Sequence, residues 1–181
     1  MEIKLSQELV TILAYAREEA MRTGSYGITA DHLLLGIIRH GENGACALFR
    51  ESGIDTGALK AHIDSLIFHD KCVPFGESDK ISVSRSAQNA INLAGFEALR
   101  DKDDEIRAAH LLIAITRSGN SVGRDYMAGM NVGSDELLKC HAAHKKEKPA
   151  VETATAEATS GKSPKKQLLF FTRPSKDQIP S

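Results

Sequence analysis

Apolar side chains recur at helical spacing from the start of the chain. Five of them follow one another at i, i+3, i+4, i+7 and i+11, namely Leu9, Ile12, Leu13, Ala16 and Ala20. This spacing places them on one stripe of an amphipathic helix. Ser6 precedes the stripe as an N-cap residue, and Gly24 follows it as a helix stop. The pattern therefore predicts a helix between these two residues.

Three further helices are predicted in the same region. Thr29 caps a second helix that ends near Gly41, and its apolar residues are Leu33, Leu34, Ile37 and Ile38. A short third helix covers Gly44 to Glu51 and is closed by Gly53. Asp55 or Thr56 opens a fourth helix, whose inward-facing residues are predicted to be Leu59, Ile63, Leu66 and Ile67.

The same pattern returns 78 positions later without a gap. Identical residues meet at Ser6/Ser84, Ala16/Ala94, Glu19/Glu97, Ala20/Ala98, Arg22/Arg100, Ile28/Ile106, Ala30/Ala108, His32/His110, Leu33/Leu111, Leu34/Leu112, Ile37/Ile115, Arg39/Arg117, Gly41/Gly119 and Leu59/Leu137. A gapless match over about sixty residues indicates an internal duplication. We therefore predict four helices in each of two copies.

The fold class that follows is all-α, with two tandem four-helix repeats packed as one pseudo-twofold domain. A single unit of about sixty residues buries only a small hydrophobic core, so the two units are predicted to pack together. Between them, His69 to Lys80 contains Pro74 and Gly76 and is interpreted as a connector. The predicted boundaries are residues 5–67 for repeat one, 68–82 for the connector and 83–144 for repeat two, within a domain of residues 1–144.

Composition changes sharply after His144. Glu147 to Lys166 contains almost no large apolar residue, so residues 145–181 are predicted to be a disordered basic tail. Within it, Leu168 to Phe171 is an isolated apolar patch. It is interpreted either as residual hydrophobicity or as a short docking segment, for a partner or for this domain's own groove.

The formal net charge of −1 conceals an asymmetry between the body and the tail. From Lys145 onward there are eight Lys and Arg residues and four acidic residues, so the tail carries +4 and residues 1–144 carry −5. An acidic body argues against nucleic acid as the main partner, because phosphate contacts need clustered Lys and Arg. A helical DNA-binding protein is therefore disfavoured.

Cysteine usage and hydropathy predict a cytoplasmic protein with no membrane partner. Cys46, Cys72 and Cys140 are odd in number and show no C-x-x-C spacing, which argues against a disulfide framework or a structural zinc site. Met1 to Leu13 lacks the continuous apolar stretch of a signal peptide, and no segment approaches the length of a membrane span.

No pattern in the chain predicts catalysis, a cofactor or a metal ion. A small hydrolase or metal enzyme would need a convergent polar cluster, and no Ser-His-Asp or Cys-His set marks an activated nucleophile. Gly161 to Ser163 is not a phosphate-binding loop, because Ala156 stands where that pattern needs a glycine. Cys140, His141 and His144 lie close in sequence but supply no tetrahedral ligand set. We predict that the chain is not an enzyme.

His32 and His110 occupy equivalent positions at the start of a helix in the two copies. Their recurrence indicates a shared task. We predict a structural one, in which a ring nitrogen bonds the backbone near the preceding loop, in preference to a catalytic or metal-binding role.

The stretch Ile28 to Arg39 resembles the signature of the Clp N-terminal repeat, in which a small residue or Thr, a carboxylate and a His precede an apolar Leu-Leu-Gly helix. Ala16 to Ala20 and Gly53 to Asp55 match the same family, and Ile106 to Arg117 is a weaker second match. The resemblance covers about residues 3–144. It implies the module that stands in front of ClpA- and ClpC-type AAA+ ATPase rings, here without the ring.

The resemblance also implies candidate ligand residues. ClpC-like members bind phosphoarginine through the carboxylate before the signature His, with the phosphate near the start of the first helix of the repeat. On this basis Asp31 and the neighbourhood of Ser6 would form the first site. Ser84 is retained in the second copy, but Ala109 holds the carboxylate position, which argues against a second site because guanidinium pairing needs the carboxylate.

The leading functional hypothesis is a non-catalytic protein-binding module that docks adaptors or substrates for a Clp-type unfoldase or protease. Its implied partners are protein adaptors, unfolded or tagged substrate proteins and a Clp ATPase. The alternatives are a phosphoarginine-recognition domain, or a stand-alone adaptor or competitor that regulates the Clp machine. A groove at the junction of the two repeats is where exposed apolar surface would indicate binding. Sequence patterns do not separate the apolar residues of such a groove from those of the core.

Overall fold

The structure is a computed structural model that describes residues 3–69, 71–118 and 121–144. It divides the chain into two units, Met1–His141 and Ala142–Ser181, and residues 142–144 are the described part of the second. The predicted tail, including the patch from Leu168 to Phe171, lies outside the described residues.

Two copies of one run of elements follow each other along the chain. The first copy contains β1 (Lys4–Leu5), α1 (Gln7–Thr23), β2 (Gly27–Ile28), α2 (Ala30–His40), α3 (Gly44–Ser52) and α4 (Thr56–Ile67). The second contains β3 (Ser82–Val83), α5 (Arg85–Arg100), β4 (Glu105–Ile106), α6 (Ala108–Ser118), α7 (Val122–Gly129) and α8, described over residues 134–144. This order confirms the predicted all-α class and the four helices of each copy.

Four two-residue strands tie the copies together. β1 pairs in parallel with β4, and β2 pairs in parallel with β3, so each pair contains one strand from each copy. The two pairings are equivalent under the 78-residue shift. Ser6 N–H donates to the Ile106 carbonyl at 3.0 Å, and Ser84 N–H donates to the Ile28 carbonyl at the same distance. This exchange gives the predicted pseudo-twofold arrangement.

The first helix of each copy begins at the predicted serine. The Ser6 hydroxyl accepts the N–H of Leu9 at 3.2 Å, and the Ser84 hydroxyl accepts the N–H of Ala87 at 3.3 Å. Helix α1 ends at Gly24, whose φ of 82° lies in the left-handed region that favours glycine. A Cβ at Gly24 would also lie 2.1 Å from the Lys71 carbonyl oxygen, so the connector can approach only a glycine there.

The core lies along the contact of α1 with α2 and of α5 with α6. Helix α2 comes so close to α1 that a Cβ at Gly36 would lie 2.6 Å from the Ile12 carbonyl oxygen. Phe49 is the largest fully buried side chain among the described residues, and it belongs to one continuous cluster that includes aliphatic residues from both copies. Burial of these aliphatic side chains drives the folding of a chain that has few aromatics.

Two features differ from the sequence prediction. Leu66 is 61% exposed, so its predicted inward orientation is wrong, whereas Leu59 and Ile63 are fully buried. The short strands were not predicted, because a two-residue strand leaves no alternating pattern to detect. Within the connector, Phe75–Lys80 forms a single 3₁₀ helix.

Candidate functional site

An apolar groove of about 400 Å³ opens where the two copies meet. We call it the junction groove. It is lined by Leu13, Ala14, Arg17, Glu18, Ile28, Leu33, Val83 and Ile91. Residues from α1, β2 and α2 of repeat one thus share a wall with residues from β3 and α5 of repeat two. Such a groove is the surface that the sequence analysis associated with binding at the junction.

The pairing of strands from the two copies brings the residues of the groove wall together. Ile28 and Val83 are direct partners in the β2–β3 pair, so one wall contains a residue from each copy. Val83 stays 47% exposed, and Leu13 and Ile91 are half-buried. These side chains belong to the apolar stripes of their helices and strands, yet the packing leaves part of each uncovered. Partly exposed apolar surface in a concave site is typical of ligand and protein binding.

Two charged residues form the groove's rim, and both are held in place. Arg17 Nη2 donates to the Ser78 carbonyl at 2.9 Å and to the Ile81 carbonyl at 3.4 Å, which fastens the end of the connector to α1. Glu18 Oε1 lies 2.6 Å from Nη2 of Arg39, whose guanidinium stacks 4.6 Å from the ring centroid of Tyr15. The rim therefore has a defined shape before any ligand arrives.

The positions equivalent to this rim in repeat two carry no charge. Under the 78-residue shift, Gly95 and Phe96 replace Arg17 and Glu18, and Leu5 replaces Val83. Phe96 is 63% exposed and Leu5 is 39% exposed. The two charged rim positions of repeat one therefore correspond to a glycine and an exposed phenylalanine in repeat two.

Asp31, the predicted phosphoarginine carboxylate, is buried and makes three hydrogen bonds to the start of α7. Its Oδ1 accepts from the Ser121 hydroxyl at 2.7 Å and from Gly123 N–H at 2.9 Å, and its Oδ2 accepts from Val122 N–H at 3.0 Å. It therefore caps a helix of the other repeat. Its ligand role stays a prediction, and any ligand would have to compete with these bonds.

Each predicted serine lies beside the loop of the other repeat, and not beside the loop of its own repeat as predicted. Ser84 is hydrogen-bonded to Ile28 and so lies near the loop that precedes Asp31, whereas Ser6 is hydrogen-bonded to Ile106 in front of Ala109. The predicted grouping of Ser6 with Asp31 does not take account of the strand exchange. Glu8, in the first turn of α1, reinforces this arrangement, because its Oε2 accepts the N–H of Ala108 at 2.9 Å.

His32 and His110 make matching hydrogen bonds to the backbone. Nδ1 of His32 accepts the N–H of Thr29 at 3.0 Å, and Nδ1 of His110 accepts the N–H of Arg107 at 3.0 Å. Each ring therefore carries its proton on Nε2, which faces the Thr23 hydroxyl in repeat one and Asp101 in repeat two. Burial lowers the pKa of both imidazoles below the usual histidine value, which favours neutral rings.

One polar cluster was missed at the sequence level. Asp101, His110 and His141 bring three metal-type ligand atoms within 4.8 Å of one another. The ring of His110 argues against a metal ion, because its Nδ1 accepts an N–H and its Nε2 must therefore hold a proton instead of a metal. The cluster is hydrogen-bonded, with Oδ2 of Asp101 2.8 Å from His110 Nε2 and 2.5 Å from His141 Nε2. His141 stands 40 residues from Asp101 in sequence, so local spacing does not reveal the pair.

Among the described residues, no helix is long and apolar enough to cross a membrane.

Comparison with known proteins gives one consistent family. Residues 4–130 match the Clp repeat (R) N-terminal domain. The negative regulator of genetic competence ClpC/MecB of Bacillus subtilis is 26% identical over 129 residues, which are 71% of this chain and 15% of that protein. Chaperone protein ClpB of Oceanobacillus iheyensis is 24% identical over 129 residues, 71% of this chain and 16% of that protein. The chain thus spans about a sixth of the length of these curated relatives.

A solved structure shows the same fold. The N-terminal domain of the caseinolytic protease associated chaperone ClpD from Arabidopsis thaliana superposes with a TM-score of 0.60 at 18% identity. The match covers 78% of this chain and 96% of that one. At this level of identity the likeness concerns the fold alone.

Proposed function

This chain belongs to the Clp repeat N-terminal domain family, and from that premise we propose that it is a protein-binding module that docks adaptors or unfolded or tagged substrates for a Clp-type unfoldase. The single observation that carries the proposal is the junction groove. Its wall is apolar and partly exposed, and its rim is preformed. A preformed apolar groove binds a partner without the entropic cost of ordering its own side chains.

The expected ligand is a protein segment that presents apolar side chains to the groove. Folded adaptors offer such residues on their surface, and unfolded substrates expose them throughout. Recognition by apolar contact tolerates many sequences, because the hydrophobic effect is non-directional. Such tolerance suits a domain that delivers varied proteins to one machine.

The experiment compares two charge insertions of the same type. Val83→Glu places a carboxylate in the groove wall, and Leu66→Glu places one on a 61% exposed apolar residue of α4 outside the groove. Binding of the full chain to a fluorescently labelled, permanently unfolded model protein is measured by anisotropy. Val83→Glu is expected to weaken binding about tenfold, because burial of a valine contributes about 1.5 kcal/mol. Leu66→Glu should bind as the unmodified protein does.

The two variants should have unchanged melting temperatures, since both positions are substantially exposed. Equal binding by both variants, with intact folding, would show that the groove is not the docking surface. Loss of binding in both would place the contact on a wider apolar surface that includes α4.

A further inference from the structure

The junction groove carries one positive charge that no carboxylate neutralises among the residues that the structure describes. Arg17 belongs to the groove's lining, and its Nη2 donates to the carbonyl oxygens of Ser78 at 2.9 Å and Ile81 at 3.4 Å. Asp79 stands between these two acceptors in sequence, but its carboxylate forms no ion pair with Arg17. Both acceptors are neutral, so they hold the guanidinium in place and leave its permanent charge uncancelled.

The other charged residue of the lining does have a partner. Glu18 Oε1 lies 2.6 Å from Nη2 of Arg39, so its negative charge is already paired. Glu77, on the connector, lies 3.9 Å from the ammonium group of Lys80. Of the two charges in the groove's lining, only the positive one is therefore left for a ligand to neutralise.

Arg17 also keeps hydrogen-bond donors for a ligand. Its two bonds to the connector use Nη2 alone, and its Nε and Nη1 make no hydrogen bond within the described part of the chain. These N–H groups belong to the same groove as the apolar residues Ile28 and Val83. A carboxylate that meets them forms charge-assisted hydrogen bonds, which are about twice as strong as those of a neutral amide oxygen.

The acidic body of the protein opposes this contact only weakly. Residues 1–144 carry a net charge of −5, which acts on an approaching ligand from many directions and distances. At physiological salt such charges are screened beyond about 8–10 Å. Once a segment lies in the groove, the nearest unpaired charge is that of Arg17, and it governs which side chains fit.

We propose that the junction groove selects protein segments in which an aspartate or glutamate flanks apolar residues, and that Arg17 binds this carboxylate. The inference rests on the docking function proposed above and adds a charge preference to it. Apolar contact with the wall supplies most of the affinity, and the carboxylate supplies the preference among apolar segments. A segment that flanks its apolar residues with lysine or arginine would meet a like charge.

The test uses three peptides that share one sequence of leucine and glycine and are blocked at both ends to remove terminal charges. The leucines are flanked on each side by aspartate in the first peptide, by asparagine in the second and by lysine in the third. Each peptide competes with the labelled unfolded protein for the full chain. At low salt the aspartate peptide is expected to bind about twofold to fivefold more tightly than the asparagine peptide, because a partly exposed ion pair is weak. The lysine peptide should bind most weakly, and high salt should reduce both differences.

Three variants assign the preference to Arg17. Arg17→Gln keeps an amide donor but has no charge, so it should bind the aspartate and asparagine peptides equally. Arg17→Lys keeps the charge and should retain the preference. Arg50→Gln removes the charge of an exposed arginine of α3 that is not part of the groove's lining, and it should behave as the unmodified protein does. Thermal unfolding of each variant verifies that it is folded.

The outcomes separate this inference from the docking function. Equal binding of the aspartate and asparagine peptides by the unmodified protein, or a preference that survives in Arg17→Gln, would overturn the inference. The docking function would still stand in that case if Val83→Gln, which makes the groove wall polar without adding a charge, weakened the binding of both peptides. If no peptide competes, or if Val83→Gln changes nothing, the docking function fails and the inference fails with it.

Discussion

The two repeats share one backbone and differ in the side chains that reach from one repeat to the other. Both begin their first helix with a serine cap and both hold the loop before the second helix with a histidine. The start of α7 is capped by Asp31, whereas the equivalent start of α3 faces Ala109, whose Cβ lies 3.5 Å from the point at which Gly44 would carry its own. Duplication therefore preserved the serine caps, the histidine contacts and the exchanged strands, whereas the side-chain cap that Asp31 provides across the junction has no counterpart at Ala109.

The junction groove shows the same divergence on its surface. Repeat one provides Arg17 and Glu18, both held by partners, where repeat two provides Gly95 and an exposed Phe96. A bound segment that crosses the junction would meet fixed charges on one side and an aromatic ring on the other. If the groove docks a protein segment as we propose, this asymmetry would fix the direction in which the segment binds.

The largest expected effect comes from removal of the carboxylate that crosses the junction. Asp31→Ala leaves the buried Ser121 hydroxyl and Gly123 N–H, and the partly buried Val122 N–H, without their acceptor. We expect the free energy of unfolding to fall by about 2–4 kcal/mol, because buried polar groups that lose a charged partner are costly. Urea denaturation of the full chain measures this change.

The matched variants are Asp31→Asn and Ala109→Ser. Asn retains one acceptor oxygen and should lose about half as much stability as Ala. Ser at position 109, where the structure shows no comparable cap, should change the free energy of unfolding by less than about 0.5 kcal/mol. A stability loss below that size for Asp31→Ala would mean that the carboxylate is not needed as a cap and is available to a ligand.

Much of the fold could be predicted from residues that act locally. Ser6, Gly24 and Gly53 mark helix ends because their caps and left-handed turns depend on neighbours within a few residues. The 78-residue match reveals the duplication because it preserves the spacing of apolar residues. Helix number and order follow from these two patterns alone.

The sites could not be predicted in the same way, because they depend on contacts distant in sequence. The strand exchange brings Ser84, instead of Ser6, to the loop before Asp31, and two-residue strands leave no pattern. Asp31 bonds residues about 90 positions away, and Asp101 bonds His141 across 40. Ile28 and Val83 have ordinary core patterns, so only the packing shows that they line a groove.

A smaller loss of stability is expected at acidic pH, and we expect His32 and His110 to contribute to it unequally. Burial lowers the pKa of His32 and of His110, so the unfolded chain binds more protons than the folded one below the ordinary histidine pKa. The resulting stability is complete above about pH 6.5 and is lost as the pH falls below that value. We expect a loss of about 1 kcal/mol between pH 7 and pH 5, measured by urea denaturation at each pH.

The replacement His32→Gln tests which repeat carries this sensitivity. Glutamine keeps an acceptor for the Thr29 N–H, as in a capping box, but does not titrate. His110 has a carboxylate partner, which raises its pKa against the effect of burial, whereas His32 faces only the Thr23 hydroxyl at Nε2. His32→Gln should therefore flatten the acid response more than His110→Gln does. Equal flattening would show that Asp101 does not support a proton on His110.

The smallest expected effect concerns the turn that ends the first helix of each repeat. Gly24 has a φ of 82°, and its equivalent Lys102 has a φ of 58°, a conformation that costs a residue with a Cβ about 1 kcal/mol or more. Lys102→Gly removes that strain but adds freedom to the unfolded chain, so we expect a net gain of about 0.5 kcal/mol in the free energy of unfolding. Lys102→Ala is the control, because it removes the same charge and keeps the Cβ. A gain for alanine equal to that for glycine would assign the effect to the lysine side chain, and the left-handed turn of repeat two would then be as relaxed as that of repeat one.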